Sequence, residues 1–151
     1  MLARVLLLSM LFSTFGLSAA SALVRISEDN GGVIADYLDS YTSLKQSKQR
    51  VVIDGPCLSA CTMVLGFIPS DRICVTSHAK LGFHAAWDEG PDGRQVTNRD
   101  GTRELMQNYP KKVRSWIARK GGLTREMIYL QGSELTAMYQ PCDSTIHARG
   151  L

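Results

Sequence analysis

The sequence has little net charge, few cysteines, no internal repeats and no long hydrophobic run after its first 22 residues. Its 17 lysines and arginines against 14 aspartates and glutamates leave a net charge of +3, which is too small to indicate a nucleic-acid partner. No low-complexity tract or ATP-binding motif is present either. With 44% hydrophobic residues, the chain has enough apolar material for an ordinary globular core. These features predict one small folded domain.

The first 22 residues have the pattern of a secretory signal. A short basic start, Met1 to Arg4, precedes the largely apolar stretch from Val5 to Leu17, and Ala20-Ser21-Ala22 fits an A-x-A cleavage site. The apolar stretch is shorter than the roughly 20 residues that a spanning helix needs, which favours cleavage over an uncleaved membrane anchor. We therefore expect a signal peptide over residues 1–22, a single domain over residues 23–151, no membrane span after cleavage, and a periplasmic or secreted location.

Four cysteines, Cys57, Cys61, Cys74 and Cys142, lie in the predicted domain, and none belongs to a Cys-x-x-Cys pair. The usual spacings of zinc sites and thioredoxin-like sites are therefore missing. In an oxidising compartment the cysteines are expected to form disulfides. Three pairings are open, and we select Cys61 with Cys74 and Cys57 with Cys142.

Hydrophobic periodicity predicts alternating strands and helices. The predicted strands are residues 23–27, 50–54, 73–76 and 80–87. The predicted helices are residues 33–44, a segment from Ser59, residues 102–119 with a break near Pro110, a short helix over 124–130, and another from Ser133, while residues 88–101 form a polar loop. This order is typical of right-handed βαβ units. The fold class is therefore α/β, with a mostly parallel sheet and helices packed on it.

Ser59 and His84 are the best candidates for chemistry. Ser59 follows a predicted strand and a Gly55-Pro56 turn, so its hydroxyl would lie at a helix start beside backbone N–H groups without helical partners. Histidine is the residue that most often takes a proton from such a hydroxyl. The purely structural alternatives are an N-cap serine and a packed core histidine. Ser59 also lacks the G-x-S-x-G setting of the α/β-hydrolases.

Four motifs in order resemble those of the Clp protease proteolytic subunit and its exported relatives in the ClpP/crotonase superfamily. The segment from Asn30 to Ile34 resembles the glycine pair of the family, and Ser59-Ala60 resembles its nucleophile at a helix start. Ile73-Cys74-Val75 resembles the strand that follows this helix, and Gly82-Phe83-His84 resembles the strand that ends in the catalytic histidine. The intervals between these motifs also agree with the spacing in the family.

The resemblance implies a ClpP/crotonase-like fold, truncated at the N-terminus because the strands that usually come first in the family are absent. It also implies that Ser59 is the nucleophile, that His84 is the base, and that the backbone N–H groups of Gly32 and Ala60 form the oxyanion hole. The segment that carries the orienting acid in the family has no aspartate here. Glu134 is the candidate third member.

From these observations we expect an exported serine peptidase-like hydrolase. It would act on a peptide or protein substrate without ATP, metal or other cofactor, and the truncated sheet favours a homo-oligomer. The alternative is a non-catalytic ClpP-like module, stabilised by disulfides, that binds a protein partner or serves in assembly. Acyl-CoA chemistry of the crotonase type suits an exported protein poorly, and a metal site of His78, His84 and cysteines is the least favoured hypothesis.

Overall fold

A computed structural model of the chain describes residues 23–143. The predicted signal peptide, residues 1–22, and its cleavage lie outside these residues and stay predictions. Between residues 23 and 143, no helix is long and apolar enough to cross a membrane.

The described chain contains nine strands and five α-helices in a mixed order. The strands are β1 (Leu23–Ile26), β2 (Arg50–Ile53), β3 (Pro56–Leu58), β4 (Ile73–Val75), β5 (Lys80–Phe83), β6 (Trp87–Glu89), β7 (Gln95–Thr97), β8 (Ile128–Gln131) and β9 (Gln140–Pro141). The α-helices are α1 (Ile34–Ser47), α2 (Val64–Phe67), α3 (Arg99–Asn108), α4 (Lys111–Arg119) and α5 (Gly132–Thr136). Two 3₁₀ helices, Ser59–Met63 and Ser70–Arg72, complete the set.

The strands form two main sheets. One has the order β1-β2-β4-β9, and all of its neighbours are parallel. The other has the order β3-β5-β8, in which β3 and β5 are parallel and β8 is antiparallel to β5. The predicted α/β class with a mostly parallel sheet and packed helices is therefore confirmed.

The core lies between these sheets and the helices. Val51, Val52 and Ile53 of β2 are fully buried, as expected of a strand covered on both faces. On the other sheet, the Phe83 ring at the end of β5 packs against Tyr109, with 5.3 Å between ring centroids, and against Trp116, at 5.6 Å. Helix α4 and the junction between α3 and α4 thus cover the strand that leads to His84.

The predicted break near Pro110 is confirmed, because α3 ends at Asn108 and α4 begins at Lys111. The predicted helix over residues 124–130 is wrong: its second half is strand β8. Leu130 is fully buried whereas Tyr129 is 41% exposed, which is the two-residue period of a strand. The apolar run was too short to distinguish the two periods.

Two further segments differ from the prediction. The Gly55-Pro56 turn continues directly into strand β3, which pairs with β5. The predicted loop over residues 88–101 carries the hairpin of β6 and β7, whose strands are exposed. Exposed strands lack the apolar alternation by which a strand is recognised in a sequence.

All four cysteines form disulfides, as predicted, but the selected pairing is wrong. The bonds join Cys57 to Cys61 and Cys74 to Cys142. Cys74 lies in β4, which pairs with β9, and Cys142 directly follows β9. The sequence does not reveal that β4 and β9 are neighbours, so it could not single out this pairing.

A polar cluster joins the ends of β1, β2 and β4. The Asp54 carboxylate accepts hydrogen bonds from the Thr76 hydroxyl at 2.6 Å and from Arg25 Nη1 at 2.6 Å, and His78 Nδ1 lies 3.3 Å from it. The Thr76 hydrogen bond lowers the pKa of Asp54 most; burial of the carboxylate opposes this, and the Arg25 and His78 contacts lower the pKa further. These contacts hold Asp54, which lies in the short link between β2 and β3.

The two disulfides should differ in their effect on global stability. Replacing Cys74 and Cys142 by alanine should lower the free energy of unfolding by about 4 kcal/mol, because their bond closes a loop with a separation of 68 residues. The same change at Cys57 and Cys61, only 4 residues apart, should lower it by about 2 kcal/mol. Urea unfolding of both double variants measures this difference, and an equal or reversed order would contradict it.

Candidate active site

Ser59 has an unusual backbone conformation at the junction of β3 and the 3₁₀ helix Ser59–Met63. Its φ is 54°, in the left-handed region that residues with a side chain rarely occupy. Lys48, the other described non-glycine residue with positive φ, lies at the C-cap of α1, where this conformation is common. Ser59 has no such ordinary explanation. The predicted helix start at Ser59 is correct, but Leu58 occupies the N-cap position, and no side chain caps the segment.

Gly31, the first glycine of the pair before α1, packs directly on Ser59. Gly31 has a φ of 80°, and a Cβ atom at this position would lie 2.6 Å from Ser59 Cβ and 3.1 Å from the Ala60 nitrogen. A residue with a side chain therefore cannot replace Gly31 without moving the Ser59 backbone. The close approach brings the Gly31 backbone beside the Ala60 nitrogen.

Asp29 fixes the glycine pair in place. Its Oδ1 accepts hydrogen bonds from the Gly31 N–H at 2.9 Å and from the Tyr37 hydroxyl at 2.6 Å. Its backbone pairs with β3, since Asp29 N donates to the Pro56 carbonyl and Leu58 N donates to the Asp29 carbonyl. Burial raises the pKa of Tyr37 well above its usual value, and the hydrogen bond to Asp29 adds to this. Asp29 thus couples the glycine pair to the strand that enters Ser59.

The Gly31 N–H is occupied by Asp29, so it is not available to a ligand. Gly32 N–H and Ala60 N–H, the predicted oxyanion donors, have no hydrogen-bond partner among residues 23–143. For Ala60 this follows from its position in the first turn of the 3₁₀ helix. The sequence analysis did not identify Asp29, although an aspartate two residues before a glycine is a known turn signal.

His84 lies at the same sheet edge as Ser59. Strands β3 and β5 are parallel with Leu58 opposite Gly82, and neighbouring strands are about 5 Å apart. Ser59 directly follows Leu58, and His84 is the second residue after Gly82. The topology therefore brings the two predicted residues to one end of adjacent strands, although no hydrogen bond joins their side chains in the described chain.

The imidazole of His84 is held by a backbone carbonyl. Its Nδ1 lies 2.7 Å from the Ala85 oxygen. A carbonyl only accepts hydrogen bonds, so Nδ1 carries the proton, and the neutral ring keeps a lone pair on Nε2. This is the tautomer that a general base of the serine hydrolase type requires.

Glu134 lies away from His84. Its Oε1 accepts a hydrogen bond from Trp116 Nε1 at 3.1 Å and lies 3.3 Å from Lys120 Nζ. Gln131, three residues earlier, pairs with Lys80 at the start of β5, whereas His84 follows the end of that strand. Four strand residues span about 13 Å. The structure therefore does not bring Glu134 to the imidazole.

The segment beside His84 is instead residues 124–127. Ala85 N donates to the Thr124 carbonyl at 2.7 Å, and Arg125 and Met127 line a cavity of about 220 Å³ with His84. The sequence analysis gave these residues no role, because it placed them in a helix. Among the described residues no group of three or more His, Cys, Asp or Glu side chains is arranged to hold a metal ion.

A larger cavity of about 500 Å³ lies between β1 and α1. The backbone of Gly31 and Gly32 lines it, together with apolar residues of β1 and the side chains of Tyr37 and Tyr41. Neither this cavity nor the smaller one includes Ser59 in its lining. The glycine pair thus borders the larger space on one side and Ser59 on the other.

Comparisons with known proteins concern the fold. No family model and no curated protein matches the sequence. A solved peptidase structure from Plasmodium falciparum is similar at a TM-score of 0.51 and 8% identity, covering 81% of this chain and 76% of that one. A ClpP1 mutant from Listeria monocytogenes gives a TM-score of 0.47 and 13% identity, covering 77% and 68%. The similarity to the peptidase structure agrees with the predicted α/β fold and concerns the fold alone.

Proposed function

We propose that this chain is an exported serine peptidase-like hydrolase in which Ser59 is the nucleophile and His84 the general base. One observation carries the proposal: Ser59 has positive φ directly against the Gly31 backbone. Such a conformation costs about 1–3 kcal/mol and persists where the surroundings enforce it, typically at functional sites. A serine used only for packing would gain nothing from this strain.

The proposed reaction is acyl transfer through a covalent intermediate. Ser59 Oγ attacks a peptide carbonyl while His84 Nε2 accepts its proton and then delivers it to the leaving amine. The N–H groups of Gly32 and Ala60 donate hydrogen bonds to the oxyanion. Water then hydrolyses the acyl-enzyme by the reverse sequence of proton transfers. No step of this mechanism uses ATP, a metal or another cofactor.

The Ala85 carbonyl takes over one part of the role that an acid plays in a triad. Its contact with His84 Nδ1 fixes the tautomer and the ring orientation. It supplies no full negative charge to stabilise the imidazolium that forms during the reaction. We therefore expect slower catalysis than a complete triad gives, but a working base.

Location and assembly are part of the proposal. The signal-like residues 1–22 and the two disulfides support a periplasmic or secreted protein. Among residues 23–143, β1 is the last strand of its sheet, and end strands are where the sheets of two chains can join. This supports a homo-oligomer that acts on peptides or proteins.

The second candidate function is a non-catalytic ClpP-like module that binds a protein partner. Two observations favour it: in residues 23–143 no hydrogen bond joins Ser59 to His84, and Glu134 lies at the other end of β5. Under this hypothesis Ser59 has a structural role only and does not react with a substrate. Chemical labelling separates the two functions.

A fluorophosphonate probe should label Ser59 of the mature protein, since the hydroxyl is activated by His84 and the phosphonyl oxygen can occupy the oxyanion site. Ser59→Ala should abolish the label, and His84→Ala should slow it by about 100-fold or more. Peptide mass mapping locates the label. Ser77→Ala, which removes an exposed serine outside the site, is the matched control and should label normally. The absence of labelling from about pH 6 to about pH 9 would support the binding module.

The strain at Ser59 predicts an unusual order of stability. Ser59→Gly should be more stable than Ser59→Ala by about 1 kcal/mol, because glycine accepts positive φ without strain. At Ser43, an exposed position within α1, the order should reverse, with alanine favoured by about 1 kcal/mol. Urea unfolding of the four variants measures both differences. If alanine were favoured at both positions, Ser59 would not be strained.

A further inference from the structure

We propose that the Cys57–Cys61 disulfide positions Ser59, so that the nucleophile turn is complete only in the oxidised chain. The inference rests on the proposed function, because it assigns regulation to the same site. Cys57 and Cys61 flank Ser59 symmetrically, two residues on either side. We call residues 57–61 the Ser59 turn.

The disulfide excludes an extended Ser59 turn. If β3 continued as a strand, the Cα atoms of Cys57 and Cys61 would be about 13 Å apart. Their observed separation is 5.3 Å, and a disulfide bridges Cα atoms only up to about 6.8 Å. The bond therefore excludes an extended chain through Ser59, the residue with positive φ at its midpoint.

Both ends of the Ser59 turn are fixed to the rest of the fold. Cys57 is fully buried, pairs with Leu81 of β5 and forms an isolated bridge with Asp29. Cys61 is also fully buried, and its carbonyl accepts a hydrogen bond from the Tyr41 hydroxyl at 2.9 Å. Because both ends are held, the bond can transmit its constraint to Ser59 instead of merely following a mobile loop.

The short span of the bond also points to a local role. A disulfide across 4 residues restricts the unfolded chain far less than the Cys74–Cys142 bond across 68 residues. What the short bond restricts most is the conformation of the three residues that it encloses, Leu58, Ser59 and Ala60. Two of these carry the proposed nucleophile and an oxyanion donor.

The bond also couples the site to the redox state of the compartment. Reduction by a dithiol breaks one S–S bond and yields two cysteine thiols, while the dithiol loses two electrons and two protons and becomes a disulfide. The reduced turn can relax from positive φ at Ser59. A precursor in a reducing cytosol would then hold an incomplete site. After export, exchange with a disulfide oxidant completes it: the two cysteine thiols lose two electrons and two protons to form the bond, and the oxidant's disulfide is reduced to two thiols.

The test compares the oxidised protein with Cys57→Ala/Cys61→Ala. Fluorophosphonate labelling of Ser59 should slow by about tenfold, since relief of strain of the usual size depopulates the competent conformation by about this factor. The probe concentration for half-maximal rate should change little. Cys61→Ala breaks the same bond with a smaller loss of buried volume, and it replaces the double variant if that does not fold.

The matched control is Arg72→Ala. Arg72 donates hydrogen bonds to the carbonyls of Leu44 and Gln49 at the end of α1, outside the site. The Arg72→Ala variant should have a lower free energy of unfolding than the unmodified protein. The rate at which the probe labels Ser59 in the folded variant should be unchanged. Equal slowing in this control and in the disulfide variant would show a purely structural effect and overturn the inference.

A second readout does not depend on catalysis. The stability order of Ser59→Gly and Ser59→Ala is measured with and without the disulfide. Without the bond, we expect Ser59→Gly to have no higher free energy of unfolding than Ser59→Ala, because the Ser59 turn then relaxes from positive φ. If labelling fails even in the oxidised protein, the proposed function is wrong while this comparison still tests the disulfide. If labelling and the glycine advantage both persist without the bond, the disulfide does not position Ser59.

Discussion

The contact between the Gly31 backbone and the Ser59 turn is the constraint on which the site depends. Gly31 can approach Ser59 only because it has no side chain and accepts positive φ. Asp29 holds the glycine pair from one side, and the buried disulfide holds the turn from the other. Ser59 is thus held by two attachments, Gly31 with its support from Asp29 and the disulfide, and neither contributes a reacting atom.

The residues that position the site are different from the residues that we propose to react. Parallel β3 and β5 bring Ser59 and His84 to one sheet edge, while Phe83, Tyr109 and Trp116 form the aromatic packing beneath the histidine. The proposed base, His84, is oriented by the carbonyl of the next residue along the chain, Ala85. A site of this kind needs no side chain from a distant segment to hold the imidazole, which is consistent with the position of Glu134 on α5, near Trp116 and Lys120.

Residues with a strong local pattern were predictable from the sequence. The buried strand β2, the break at Pro110 and the α/β class follow from periodicity and proline geometry. Features that depend on spatial neighbours were not predictable. The Cys74–Cys142 bond requires β9 beside β4, and strand β8 is defined by its pairing with β5. The role of Asp29 likewise becomes visible only when Gly31 lies against Ser59.

A crystal structure of the protein after reaction with a fluorophosphonate tests the central claim most directly. The phosphonyl oxygen occupies the place of the oxyanion of a tetrahedral intermediate. The account predicts a covalent bond to Ser59 Oγ, positive φ at Ser59, and the phosphonyl oxygen about 3 Å from the nitrogens of both Gly32 and Ala60. An oxygen that faces solvent, or a Ser59 with negative φ in the adduct, would contradict it.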